Sequence, residues 1–218
     1  MYSELKKRIS TGIVLFLILF YCLYYSGLYF IIFLSLVYCL SFFEIIKNTR
    51  NLLFIAISNI VLVFALFSFY YLRGQSDYSL TVIYWILMTT FLSDIGGYTF
   101  GKIFKGKKLT KISPNKTYSG SIGSIIFCVI SLPSLNLFQI FFLNENLINF
   151  YQIKYIILSI IISIICQSGD LYISFWKRKL KVKDTSNILP GHGGVLDRID
   201  GLIFVLIFSF LINKVGLI

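Results

Sequence analysis

The feature that most constrains this chain is the length of its uncharged runs, as in "LFLILFYCLYYSGLYFIIFLSLVYCLSFF". Several such windows reach the roughly 18–20 residues needed to cross a hydrocarbon core of about 30 Å. In lipid a helix satisfies its own backbone hydrogen bonds, whereas an isolated strand does not, so long continuous runs point to helices. Only 13% of the 218 residues are charged, against 57% that are apolar; soluble domains carry about 25% charged residues. A soluble globular domain is therefore excluded. The expected fold class is all-α, a polytopic helical membrane protein with about seven transmembrane helices.

The expected spans are Thr11–Tyr25, Gly27–Ile46, Leu52–Leu72, Tyr78–Phe100, Ser119–Leu143, Tyr155–Trp176 and Gly201–Leu217. With this count, seventeen of the twenty basic residues fall on one side, and only Arg73, Lys154 and Lys214 on the other. That bias obeys the positive-inside rule, which predicts a cytoplasmic N-terminus and an integral protein of a bacterial inner membrane. The basic start "MYSELKKRIS" has no clear small-residue cleavage site, so the first span is expected to be retained. Residues 1–92 read as N-terminal transmembrane helices and 93–218 as a catalytic transmembrane region with cytoplasmic loops, within one integral membrane domain. The net charge of +11 predicts anionic partners. Cys22, Cys39, Cys128 and Cys166 all lie in apolar windows, without disulfide or zinc spacing, and read as small buried hydrophobes.

The polar residues are concentrated in a few motifs. Asp94 lies in "FLSDIGGYTFGKIFKGKK", where a carboxylate normally faces a polar cavity or a partner, or else sits at headgroup level as a helix-end charge. Gly96, Gly97 and Gly101 suit close approach of a ligand, or equally of another helix. In "SPNKTYSG", Ser113, Lys116 and Thr117 offer donors suited to phosphate oxygens, although a basic loop can also serve topology alone. Asp170 repeats the placement of Asp94, and Lys177, Arg178, Lys183 and Asp184 follow it. The stretch "LPGHGGVLDRID" adds His192, Arg198, Asp197 and Asp200. Gly191, Gly193 and Gly194 there permit positive φ and make an anion-binding nest. Asp197 and Asp200 share a face if a helix starts near Leu196, where acidic residues also favour the helix dipole. His192 has no second histidine or nearby cysteine, which argues against zinc; structural hydrogen bonding is its plain alternative. Carboxylates among many cations suit Mg²⁺ and phosphates. No nucleophile–base pair for acyl transfer is visible, so phosphoryl or nucleotidyl transfer is the natural chemistry.

The stretch "SFWKRKLKVKDTSNILPGHGGVLDRID", Ser174 to Asp200, resembles the signature of the phosphatidate cytidylyltransferase (CDP-diacylglycerol synthase) family with its spacing kept. The resemblance extends over about Ser93 to Gly201. It implies transfer of the cytidylyl group of CTP to phosphatidic acid, with Mg²⁺ as cofactor and room for a second cation. It implies metal-binding roles for Asp170 and Asp197. It further implies catalytic roles for Lys177, Arg178, Lys183, Asp184, His192, Arg198 and Asp200, and nucleotide contacts for Asp94, Ser113, Lys116, Thr117, Gly193 and Gly194. The partners implied are CTP, phosphatidic acid and the bilayer, with no nucleic acid; a homodimer is compatible with it. The chain departs from the family's pattern at Ser119 and Ile173, where glutamates are common, and at Trp176, where an aliphatic residue is usual. Two alternatives are a CTP-dependent polyisoprenol or phytol kinase and an ion-coupled transporter. Transport predicts polar groups at mid-membrane depth, whereas here they gather towards one end.

Overall fold

The computed structural model describes residues 2–110, 113, 114, 116–143, 148–191 and 193–218. Seven helices follow in order: α1 (Tyr2–Tyr25), α2 (Gly27–Asn48), α3 (Leu52–Arg73), α4 (Asp77–Phe104), α5 (Tyr118–Phe138), α6 (Ile153–Lys179) and α7 (Leu196–Lys214), with a π-helical turn, Gln139–Leu143, continuing α5. Among the described residues, pairing of extended backbone is limited to the isolated bridges Lys108–Thr117 and Leu189–Gly193. The chain is a helical membrane protein, and α2, α3, α4, α5 with its π turn, and α6 are long and apolar enough to be spans. The other two expected spans fall short of that mark. The apolar part of α1 is only Ser10–Tyr25, and α7 carries Asp197, Arg198, Asp200 and Lys214 within 19 residues.

Burial sorts these helices into a hub and a shell. In α4 67% of the apolar window is buried inside the protein, against 22–33% in the other four spans. The shell turns large apolar side chains such as Leu28, Leu52 and Phe141 outward, which suits a lipid surface. Buried polar groups on the hub pair with α6: Trp85 Nε1–H donates to Ser159 Oγ at 2.9 Å, and the Ser93 and Ser163 hydroxyls meet at 2.7 Å. Three of the cysteines are buried, but Cys39 is exposed on α2. Its thiol sits on an outward apolar face, correcting the expectation that all four are interior.

The α4–α5 contact explains the glycines of "DIGGYTFG". A Cβ at Gly96 would lie 2.4 Å from the Gly123 carbonyl oxygen, and one at Gly123 would lie 2.4 Å from Phe100 Cβ. Small residues let the two backbones approach to a distance that side chains forbid. Of the two readings open for these glycines, helix packing accounts for Gly96.

The connections divide cleanly between two ends. At one end, Asn48 Nδ2–H donates to Thr185 O at 2.7 Å, the Phe54 and Trp176 rings sit 4.6 Å apart, and Lys116 meets Asp170. This is the end that receives the signature loop. At the other, the buried Arg73 guanidinium donates to the Leu23 and Tyr24 carbonyls, closing the C-terminus of α1, where cations complement the helix dipole. Lys214 Nζ–H donates to the Tyr71 hydroxyl at 3.0 Å nearby.

Candidate active site

The C-terminal halves of α4 and α6, the loop before α5 and the first turn of α7 bring four aspartates and two lysines together. On α6, Asp170 forms an ion pair with Lys116 at 2.5 Å and accepts from Ser174 Oγ at 3.3 Å. Lys116 comes from the short loop before α5, whose Leu109 N–H to Lys116 O bond is 2.8 Å, and its ammonium also reaches the Gln167 carbonyl at 3.5 Å. Asp94, exposed on α4, accepts from the Cys166 thiol at 3.7 Å. Its electrostatic neighbours are Asp170, Lys116 and Arg198. Thus Asp94 faces a polar group of residues from three elements, and it is no bare helix-end charge.

Asp197 and Asp200 begin α7 as expected, but they do different things. Asp197 Oδ1 accepts from Lys177 Nζ at 2.8 Å. Its Oδ2 accepts from Thr185 N at 2.8 Å, Thr185 Oγ1 at 3.0 Å and Gly194 N at 3.0 Å. Burial pushes the Asp197 carboxyl up, but Lys177 and the two N–H groups outweigh it and hold it below the usual carboxylate range. Asp200 is less well supported, accepting from the Gly201 N–H at 2.9 Å. Burial first, then the facing Asp170 carboxylate, raise it well above the usual carboxylate range.

Gly191 and Gly193 adopt positive φ of 74° and 83°, but Gly194 does not need it. A Cβ at Gly194 would meet Thr185 Oγ1 at 2.0 Å and Glu44 Oε1 at 2.7 Å. Of the glycine N–H groups expected to make an anion nest, that of Gly194 is taken by the protein's own Asp197. Val195 and Leu196 N–H donate to Glu44 Oε1 at 2.8 Å and Oε2 at 2.9 Å. The first N–H groups of a helix lack internal partners and must find others; here a carboxylate from α2 supplies them.

The remaining signature residues spread out. Arg178 is exposed and turns to the Val182 carbonyl at 3.2 Å, and Lys183 and Asp184 are exposed on the loop. Arg198 is also exposed, on the first turn of α7. Thr117 caps α5, accepting from Gly120 N at 3.1 Å, and Ser113 lies on the turn that sets up Lys116, its carbonyl accepting from Lys116 N at 3.1 Å. Gly193 pairs with Leu189. His192 lies outside the described residues, as does Lys111 of the basic loop.

Three participants carried no signal in the motif reading. Glu44 is 0% exposed in the middle of a polar junction. Asn48 stands one turn beyond it, and Thr185 joins Glu44 to Asp197. A single glutamate in the long apolar α2 was the available clue, since an intramembrane carboxylate needs a partner.

Beside Lys177 opens a cavity of 530 Å³ between α2, α3, α6 and α7. Its polar end is formed by Lys177, Thr185 and Asn48, and its walls by apolar residues including Phe54, Ile57 and Phe204. Ile173 and Trp176, two of the positions that depart from the signature, also line it. Among the described residues, Trp176 Nε1–H is buried with no hydrogen-bond partner.

The chain is similar in sequence to bacterial phosphatidate cytidylyltransferases. The phosphatidate cytidylyltransferase of Staphylococcus haemolyticus is 37% identical over 168 residues, covering 77% of this chain and 62% of the relative. That of Bacillus subtilis is 37% identical over 178 residues, covering 78% and 62%. That of Rickettsia conorii is 39% identical over 140 residues, covering 59% and 58%. The chain thus spans about 60% of the length of these relatives. The cytidylyltransferase family itself matches residues 47–215, from the end of α2 through the whole of the lysine–aspartate site to the end of α7. With well over half of its length matched, this chain belongs to the cytidylyltransferase family.

Proposed function

We propose that this protein transfers the cytidylyl group of CTP to phosphatidic acid, giving CDP-diacylglycerol and pyrophosphate, with its site on the cytoplasmic face of a bacterial inner membrane. The observation that carries the reading is the junction of a lysine–aspartate site with an amphipathic cavity that shares Lys177. A phosphate on a lipid anchor needs both: cations for the head and apolar walls for the chains. The names of the relatives support the same reaction.

In this reaction a phosphate oxygen of phosphatidic acid forms a bond to the α-phosphorus of CTP, and the bond from that phosphorus to the α,β-bridging oxygen breaks. The displaced pyrophosphate carries the electron pair away. The attacking oxygen is already largely ionised near neutral pH, since a phosphate monoester has a second pKa of about 6, so no protein base has to remove its proton. Lys116 and Lys177 lie where phosphate charge would gather, each beside an aspartate that keeps it oriented. Their task is positioning and charge neutralisation, the main contribution a protein makes to displacement at phosphorus.

The donor set suits Mg²⁺. Among the described residues no cluster of three or more ligating side chains is preformed, but Mg²⁺ is commonly held by one or two carboxylates together with substrate phosphates. Asp170 and Asp197 each already draw a cationic ammonium, and they would hold the ion. When bound, Mg²⁺ neutralises the charge that develops on the reacting phosphates.

The decisive experiment incubates the purified protein in lipid–detergent micelles with phosphatidic acid, Mg²⁺ and CTP labelled at either the α- or the γ-phosphate. The expected result is α-label in the lipid and γ-label released as pyrophosphate. Appearance of γ-label in a lipid would mean a kinase, and label in neither lipid fraction would remove the reading. Orientation is tested by cysteines at the exposed Lys108 and Lys183 on a cysteine-free background. They should react with impermeant thiol reagents only after the inner face is opened; labelling in intact cells would reverse the topology.

A further inference from the structure

Glu44 precedes the family match at residue 47 and takes no part in the reaction proposed above, yet it is among the most thoroughly bonded side chains in the protein. Each carboxylate oxygen accepts two hydrogen bonds. Oε1 accepts from Ser186 Oγ at 2.6 Å and Val195 N at 2.8 Å; Oε2 accepts from Thr185 Oγ1 at 2.9 Å and Leu196 N at 2.9 Å. Among the described residues it forms no ion pair. Burying a carboxylate without a counter-charge is costly unless several donors, or a helix dipole, replace the water it loses. Here the loop hydroxyls and the N-terminus of α7 do so together. A carboxylate so enclosed fixes both groups at once.

What lies on the other side of that junction is Asp197. The Thr185 hydroxyl stands between the two carboxylates, 2.9 Å from Glu44 Oε2 and 3.0 Å from Asp197 Oδ2. It has one proton for two acceptors, so a change at either carboxylate alters what the other receives. Asn48 holds the Thr185 carbonyl at 2.7 Å from the same face of α2, which keeps the hydroxyl at this position. Gly194 is sealed against the same group, since any side chain there would collide with Glu44 and Thr185.

We propose that Glu44 is a positioning residue for the reaction: it docks the signature loop and the first turn of α7 onto α2, and through Thr185 it sets Asp197 against Lys177. This rests on the cytidylyl-transfer reading for its kinetic consequence, but the docking itself does not. Glu44→Gln keeps the size of the side chain while placing an amide donor against groups that are themselves donors.

The test combines kinetics with hydrogen exchange on the purified protein in lipid–detergent micelles. Glu44→Gln is expected to lower kcat by about 10²-fold, the cost of misplacing a reacting group by roughly an ångström, with KM for CTP little changed. Thr185→Val should lower kcat as well, and Thr185→Ser, which keeps the hydroxyl, should recover most of it. The double variant Glu44→Gln/Thr185→Val should lose much less than the product of the two single losses, because both act along one route. In parallel, the amides of Thr185, Val195 and Leu196 should lose protection from exchange in Glu44→Gln while those of the α4–α5 seam keep theirs. Unchanged kcat per folded molecule, accompanied only by a lower melting temperature, would overturn the positioning role. Multiplicative losses in the double variant would overturn the route through Thr185. If the unsubstituted protein transfers no label but exchange at these three amides still depends on Glu44, the reaction assigned above is wrong and the docking stands; unchanged exchange overturns the docking.

Discussion

The two lysine–aspartate pairs of the site look alike on paper and are held in opposite ways. Lys116 and Asp170 are 25% and 30% exposed, and Asp170 has one further donor, Ser174. Lys177 and Asp197 are 14% and 5% exposed, and Asp197 accepts three bonds from Thr185 and Gly194 in addition. An exposed pair contributes only about 0–1 kcal/mol and opens readily. A buried one costs about 3–5 kcal/mol to break by removing one partner, because the other charge is stranded. The contrast teaches a division of labour: Asp170 is held mainly by its lysine, whereas Asp197 is also part of the scaffold.

The largest expected effect comes from Asp197→Asn. It should abolish label transfer and also lower the unfolding free energy by about 3 kcal/mol, read by denaturation in detergent. Asp170→Asn sharpens the comparison: transfer should again fall below detection, but with a stability change under about 1 kcal/mol. Equal destabilisation by the two would break the contrast. Lys116→Gln is expected next, with kcat lowered about 10²-fold, as when one donor to developing charge is removed, and an unchanged melting temperature. A large stability loss there would show that the more exposed pair is structural after all. Trp176→Phe should have the smallest effect. It keeps most of the ring but removes an N–H that is left to donate to bound phosphatidic acid, and loss of that hydrogen bond, about 1 kcal/mol, predicts a roughly 5-fold rise in KM for phosphatidic acid. An equal rise in KM for CTP would separate the cavity from the lipid.

Much of this division was invisible in the order of residues. The uncharged runs placed the helices closely because hydrophobic length is a local property: α2, α3 and α6 extend no more than three residues beyond the expected spans at either end. The signature named Asp170, Lys177 and Asp197; in the fold Lys177 pairs with Asp197, while Asp170 pairs with Lys116. It did not separate Arg178, which turns to Val182, from Lys177, which turns to Asp197, although the two are adjacent in sequence. On a helix, neighbouring residues point about 100° apart, and only the partner helix decides which of them is inside.

Glu44 shows the limit most sharply. It stands 141 and 142 residues before Thr185 and Ser186, the hydroxyl groups that it binds, and no local pattern connects them. By itself the sequence determined an all-helical membrane protein, a basic end with the polar motifs, and the carboxylate-and-lysine chemistry of the signature, because these depend on composition and short-range spacing. Only the tertiary structure decided that the glycine loop holds the protein's own carboxylates, that one aspartate is loosely paired and the other locked, and that α2 belongs to the site. Those outcomes depend on which donors long-range packing brings within about 3 Å of an acceptor, and hydrogen bonds are decided at that distance.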